Sequence, residues 1–141
     1  MTNFSDVGKF HEKFGLDNTT FRDAGPRQLP LGLLEFRLAF LKEELDEFTK
    51  GMDENDIAQM ADALIDLVYV AMGTAHLLGL PWEALWTEVQ RANMDKQRAA
   101  ADASDSKRGS AFDVVKPEGW RPPDIAKVLE WNGWGQMQMG C

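Results

Sequence analysis

The chain has 141 residues, of which 44% are hydrophobic and 27% are charged, and its formal net charge is −8. This size suits one domain with a real core, and no apolar run reaches the roughly 18 residues that a membrane span needs. The acidic balance excludes a nucleic-acid binder held by a broad basic surface, so we expect neither nucleic acid nor a membrane as a partner.

The N-terminal residues and the cysteine content bear on where the protein works. The sequence opens without a basic stretch followed by an apolar one, so we expect no signal peptide. Its one cysteine is Cys141, which leaves no internal disulfide and fits a reducing compartment. We therefore expect a cytoplasmic protein, and we find no repeat that would divide residues 1–141 into more than one domain.

Apolar residues at helical spacing predict four main helices and a short fifth one. Their predicted ranges are 6–14, 31–50, 56–78, 81–101 and 125–131. Gly51 is expected to end the second helix and Gly79 the third, in the usual C-cap role. Loops are predicted for 15–30, for 100–110 as a mobile segment and for 109–123 as an irregular one, with a tail over 132–141. The fold class is therefore all-α and similar to a four-helix bundle.

The second and third helices differ in how much of their surface is apolar. The second shows one apolar stripe, made of Leu34, Leu38, Leu41, Leu45 and Phe48. Between residues 63 and 75 the third helix is apolar almost all round, so we expect it to be central and buried. Asp66 lies inside this run, and a carboxylate there has to be paired, protonated or bound to a cation.

Carboxylates recur at helical spacing on both of these helices. The residues concerned are Glu43, Glu44 and Glu47 on the second helix and Asp62 and Asp66 on the third, with Tyr69 on the same face as the last two. Two adjacent antiparallel helices that turn such groups inward can hold Mg²⁺ or Mn²⁺ between them, a site that suits phosphoanhydride hydrolysis. The alternative is an exposed acidic patch on a non-catalytic helical protein that meets a basic partner.

Polar and basic residues follow the fourth helix. Asn93 and Lys96 continue its core stripe, and with Arg91 they would supply donors for a phosphate chain or form a solvated helix end. Further on, Trp120 lies among three prolines between Lys116 and Arg121, where it would either close over a nucleotide or pack against the bundle. No Cys/His cluster fits zinc, and the Glu-x-x-His pattern of di-iron bundles is missing.

Taken together, these segments resemble the all-α nucleoside triphosphate pyrophosphohydrolases. That MazG-like superfamily includes the dimeric dUTPases and the phosphoribosyl-ATP pyrophosphohydrolases, and the likeness is closest to its small single-domain bacterial and phage members. The matching segments are Leu41-Lys-Glu-Glu-Leu-Asp-Glu-Phe, Ala61-Asp-Ala-Leu-Ile-Asp-Leu-Val-Tyr-Val, Val89-Gln-Arg-Ala-Asn-Met-Asp-Lys and Lys116-Pro-Glu-Gly-Trp-Arg-Pro-Pro-Asp-Ile.

The resemblance implies a set of metal ligands. Members carry Glu-x-x-Glu on one helix and Glu-x-x-Asp on the next, and Glu44 and Glu47 match the first motif. Asp66 matches the end of the second motif, where the expected glutamate is Ala63 and Asp62 is its natural substitute. The implied catalytic residues are Glu43, Glu44, Glu47 and Asp66, with Glu43 as an added acid that positions water.

The resemblance also implies the reaction and its partners. A nucleoside triphosphate would be cleaved between the α and β phosphates to a monophosphate and pyrophosphate, with Mg²⁺ as cofactor and Mn²⁺ as a substitute. Asn93 and Lys96 match positions that contact substrate phosphates, and the full expected substrate-binding set is Asn93, Lys96, Lys116, Trp120, Arg121 and Tyr69. Homodimers or homotetramers are the usual assemblies, and nothing in the sequence chooses the base.

Overall fold

The computed structural model describes residues 1–16 and 26–134, which fall into two compact units. The first unit contains Met1–Leu80 together with the described residues from Asn132 onward, and the second is Pro81–Trp131. In chain order the elements are α1 (Asn3–Lys13), α2 (Leu31–Asp53), α3 (Ile57–Leu77), α4 (Trp82–Met94), β1 (Gln97–Arg98), β2 (Val114–Val115) and α5 (Ile125–Trp131). Much of the predicted loop, residues 17–25, and most of the predicted tail, 135–141, lie outside the described residues.

The all-α prediction is confirmed. The first helix starts three residues earlier than predicted because Thr2 caps it, and two further helix ends are corrected. First, α2 continues through Gly51 to Asp53, so Gly51 does not act as the C-cap. This glycine instead allows close packing of α2 against the start of α3. Second, α4 ends at Met94 instead of near residue 101. The chain that follows forms β1, whose backbone is used to pair antiparallel with β2.

The buried row of α2 holds two charged residues and a glycine, which corrects the predicted apolar stripe in part, since Leu34, Leu41 and Phe48 are half-buried. The buried residues of this helix are Arg37, Glu44 and Gly51, each seven positions apart. Leu38 and Leu45 of the predicted stripe are 51% and 53% exposed. The Arg37 guanidinium tolerates burial because it donates hydrogen bonds to the Val70 carbonyl at 2.9 Å and to Thr74 Oγ1 at 3.0 Å. The side of α2 that faces α3 therefore carries charges.

Small side chains on α3 make room for that row. Its buried residues are Ala63, Val70, Met72, Gly73, Ala75 and Leu77. A Cβ atom at Gly73 would lie 2.6 Å from Arg37 Nη2 and 2.7 Å from Nε2 of His11, a buried residue of α1. The glycine thus lets side chains from α1 and α2 meet on the same turn of α3.

Only one side of α3 is buried. The prediction that this helix is buried on nearly all sides is therefore wrong for one copy of the chain. Leu64, Ile65 and Val68 are 48%, 67% and 49% exposed. The helix is also long and apolar enough to pass for a membrane span by length and composition, with 22% of that window buried. A core helix of a soluble protein passes the same test.

Candidate active site

Glu44 is the centre of an acidic cluster between α2 and α3. Its side chain is buried, and Oε2 has no hydrogen-bond partner among the described residues. Burial raises the pKa of Glu44, and the nearby carboxylates of Glu47, Asp66 and Glu43 raise it further. A buried oxygen that lacks a donor, surrounded by like charges, is costly on its own. The arrangement is therefore complementary to a positively charged group.

The two motifs of the sequence contribute unequally to this cluster. Asp66 and Glu47 are half-buried, whereas Glu43 and Asp62 are exposed. Asp62 is not among the charges that raise the pKa of Glu44. The neighbouring Ala63 is fully buried, so position 63 and not position 62 faces the helix contact. A methyl group therefore occupies the position at which the resemblance led us to expect a glutamate.

The chemistry of this donor set fits a hard divalent cation. Within residues 1–16 and 26–134, no three His, Cys, Asp or Glu side chains are grouped so that they could hold a metal ion by themselves. Mg²⁺ is usually bound through one or two carboxylates and completes its shell with waters and substrate phosphates. Glu47 on α2 and Asp66 on α3 lie close enough to Glu44 to raise its pKa, so one or two of these three carboxylates, completed by waters and phosphates, would suit such an ion.

Tyr69 follows Asp66 on α3 and packs toward α1. Its ring meets the ring of Phe10 edge to face, with centroids 5.4 Å apart and an angle of 87°. Such pairs stabilise by about 0.5–1.5 kcal/mol beyond the area they bury. Tyr69 therefore has a packing partner within the first unit, and its contact with substrate stays a prediction.

Four of the predicted substrate-binding residues come together in the second unit. Lys96 Nζ donates a hydrogen bond to Asn93 Oδ1 at 3.0 Å. The ammonium groups of Lys96 and Lys116 lie 5.6 Å and 4.8 Å from the centroid of the Trp120 ring. This ring is held in place because its Nε1 donates to the Ala92 carbonyl at 2.7 Å. Trp120 thus packs against α4, and its ring makes cation–π contacts with both lysine ammonium groups.

Arg121 begins a proline-rich segment that a charged network anchors to α4. Arg91 donates to Glu88 at 2.9 Å and to the Pro122 carbonyl at 3.2 Å, and Glu88 accepts from the backbone N–H of Asp124 at 2.9 Å. Arg91, which the sequence offered as a phosphate donor, therefore has a structural role here. Sequence analysis missed this pair, although Glu88 and Arg91 are three residues apart on a helix and that spacing could have indicated it.

We expect acid to loosen this network. The hydrogen bonds from Arg91 and from the Asp124 backbone lower the pKa of Glu88 to about 2, from an ordinary value of 4.5. Its stabilising contribution is therefore present above pH 4.5 and is lost as the pH falls from there toward 2. Urea unfolding followed by far-UV circular dichroism should show Glu88→Gln less stable than wild type at pH 7, with the difference shrinking in acid.

The exposed Glu83 on the same helix provides a matched control for that measurement. The Glu83→Gln variant should lose less stability than Glu88→Gln at pH 7, because the Glu83 carboxylate in the first turn of α4 interacts with the helix dipole and, among the described residues, anchors no other segment. Equal stability of the Glu88→Gln and Glu83→Gln variants at pH 7 would contradict the anchoring role.

The helical fold and the paired carboxylates define a class, the all-α nucleoside triphosphate pyrophosphohydrolases. Residues 7–93 match the phosphoribosyl-ATP pyrophosphohydrolase family, which lies within that class, and the chain belongs to this family. The resemblance found in the sequence is thereby confirmed. The matched segment includes the candidate metal ligands and Asn93, and it ends before Lys96 and the strands.

A viral protein is also similar to this chain. The uncharacterized protein L479 of Acanthamoeba polyphaga mimivirus is 33% identical over 84 residues. The alignment covers 56% of this chain and 32% of the viral protein, so the chain spans about a third of the length of that curated relative. The name of the viral protein states no activity, so this similarity gives no information about the reaction.

Proposed function

We propose that this protein is a Mg²⁺-dependent nucleoside triphosphate pyrophosphohydrolase that acts in nucleotide-pool control. It would hydrolyse the bond between the α and β phosphates and release a nucleoside monophosphate and pyrophosphate, with Mn²⁺ as a substitute metal. The observation that carries the proposal is the buried Glu44 with its unpartnered oxygen beside Glu47 and Asp66, in a chain of the phosphoribosyl-ATP pyrophosphohydrolase family.

Each acidic residue has a proposed role. Glu44, Glu47 and Asp66 would hold the metal, and Asp62 would contribute from the exposed side of α3. A bound Mg²⁺ neutralises phosphate oxygens and acidifies water. The exposed Glu43 next to the cluster would accept the proton of the attacking water as general base.

The second unit would supply the donors for the phosphate chain. Lys96, Lys116 and Arg121 carry positive charge, and Asn93 adds an amide. Charged donors held in advance stabilise the negative charge that develops on phosphate oxygens as the bond breaks. The cation–π contacts with Trp120 support this role, because they hold two of the ammonium groups beside one ring.

We also propose that a second copy of the chain covers exposed apolar side chains of α2 and α3, giving a homodimer or homotetramer. Leu64, Ile65 and Val68 on α3 and Leu38 and Leu45 on α2 are each about half exposed or more. Exposed apolar groups in such number are typical of an interaction surface. Light scattering during size-exclusion chromatography should give at least twice the chain mass, and a monomer at every concentration would contradict this proposal.

A pyrophosphate-release screen tests the proposed reaction. Canonical and modified deoxynucleoside triphosphates and phosphoribosyl-ATP are each offered with Mg²⁺, with Mn²⁺ or with EDTA. We expect release from at least one substrate with metal and none with EDTA. Asp66→Asn should lower kcat/KM at least about 100-fold, as expected for loss of a metal ligand, and the matched variant Asp62→Asn should lower it much less.

Two outcomes would contradict the proposal. If no candidate is cleaved with either metal, the chain is not a pyrophosphohydrolase of these substrates, and the non-catalytic acidic interaction protein becomes the better interpretation. If cleavage occurs and Asp66→Asn retains it in full, the assigned metal site is wrong.

A further inference from the structure

The second unit contains a basic pocket of about 560 Å³ beside the two strands. Its charged lining residues are Lys96, Lys107, Arg108 and Lys116 together with Asp105 and Asp113. Four cations thus meet two carboxylates in a chain whose net charge is −8. The local sign of charge is therefore opposite to that of the protein as a whole, which favours an anionic ligand.

Both carboxylates of the pocket are occupied in shaping its wall. Asp113 accepts hydrogen bonds from Ser106 Oγ and from the backbone N–H of Val114, each at 2.8 Å, and it forms an ion pair with Arg108. These donors lower the pKa of Asp113, so it stays ionised at neutral pH. Asp105 accepts from a backbone amide of the same loop at 2.8 Å. The carboxylates therefore position the loop that carries the cations.

The cations retain donors for a ligand. Among residues 1–16 and 26–134, Lys96, Lys107 and Lys116 form no ion pair with a carboxylate. Arg108 uses Nη1 for Asp113, and a guanidinium has further N–H donors on its other nitrogens. Like charges gathered around one cavity repel each other, and a multivalent anion in the cavity removes that repulsion.

We propose that this pocket binds a condensed phosphate, either free pyrophosphate or the triphosphate chain of a nucleotide, through Lys96, Lys107, Arg108 and Lys116. The pocket itself rests on the geometry of the second unit. The choice of a condensed phosphate over other anions rests on the proposed function, which releases pyrophosphate. Lys107 and Arg108 lie beyond the residues matched by the family and are new to the site.

Calorimetric titration of the full chain in EDTA tests this binding in the absence of metal. We expect wild type to bind pyrophosphate more tightly than sulfate or monophosphate. The double variant Lys107→Gln/Arg108→Gln should weaken pyrophosphate binding at least about tenfold, since it removes two charged donors from the pocket. The matched double variant Lys42→Gln/Lys50→Gln, which removes two exposed cations of α2, should bind as wild type does.

Further titrations distinguish between the possible ligands, and between this proposal and the proposed function. A non-hydrolysable nucleoside triphosphate that binds like pyrophosphate, while the monophosphate does not, identifies the phosphate chain as the recognised group. Asp66→Asn should retain pyrophosphate binding although it lacks hydrolysis. Equal binding of sulfate and pyrophosphate, or unchanged binding in the Lys107→Gln/Arg108→Gln variant, overturns the pocket even if hydrolysis is observed. Pyrophosphate binding in a chain that cleaves nothing overturns the proposed function alone.

Discussion

Replacing Glu44 by glutamine is expected to abolish nucleotide hydrolysis and to stabilise the metal-free protein. The amide keeps the shape of the side chain, loses the negative charge and offers N–H donors to Glu47 and Asp66. Because the repulsion from these neighbours and the cost of burying a negative charge both disappear, we expect the free energy of unfolding to rise. Hydrolysis should fall at least about 100-fold, since a carboxylate ligand is lost.

The pH dependence of this stability difference has a definite sign. The pKa of Glu44 is raised in the folded chain, so the carboxylate is unfavourable only where it is ionised. The stability deficit of metal-free wild type relative to Glu44→Gln should therefore appear as the pH rises through this raised pKa, and it should vanish at lower pH.

Thermal melts with EDTA and with Mg²⁺ provide the measurement. Mg²⁺ that binds only the native state should stabilise the wild type and leave Glu44→Gln nearly unchanged. With Mg²⁺ the wild type should therefore be the more stable of the two, the reverse of the order in EDTA. Glu35→Gln is the matched control, because Glu35 is exposed on the same helix. A Glu44→Gln protein that is less stable than wild type in EDTA, or that keeps full activity, would refute the assignment.

Gly51→Ala is expected to destabilise the chain by about 2–4 kcal/mol. A Cβ atom at this position would lie 2.9 Å from the backbone nitrogen of Met60 and 3.0 Å from its Cγ. The backbone nitrogen cannot rotate away, so the start of α3 has to move off α2. Alanine usually stabilises a helix interior relative to glycine by about 1 kcal/mol, which makes the opposite sign diagnostic.

Gly32→Ala is the control on the same helix. Among the described residues, nothing outside the local helix backbone lies within 4 Å of a Cβ placed there, so we expect stability to stay the same or to rise by up to about 1 kcal/mol. Urea unfolding of the three proteins gives the comparison. Equal effects of the two substitutions would show that α2 and α3 do not pack closely at Gly51.

The sequence predicts the helices well because their signals are local. The short helix at Ile125–Trp131 has the predicted bounds, and α3 starts after Asp56, whose side chain accepts from the Gln59 N–H as an N-cap. The buried face of α2 was predicted wrongly. Hydrophobicity favoured the leucine stripe, whereas burial of Arg37 depends on Val70 and Thr74, partners more than thirty residues away that no local pattern reveals.

The candidate site divides in the same way. Glu44 and Asp66 were identified from their spacing, and their proximity follows from two antiparallel neighbouring helices. That Ala63, and not Asp62, faces the helix contact depends on the rotation of α3 about its axis, which tertiary packing sets. The strands are only two residues long, so they have no period-2 pattern to predict them.

The short connection between α2 and α3 has a kinetic consequence. Only residues 54–56 separate the two helices, so the carboxylates of α2 and α3 meet when these neighbouring helices pack together. If the two helices pack together in the folding transition state, the like charges that meet there slow the folding step. Divalent cations should therefore act chiefly on the folding rate of this hairpin and little on its unfolding rate. The same carboxylates would then affect both the folding rate and the proposed metal site of the folded protein.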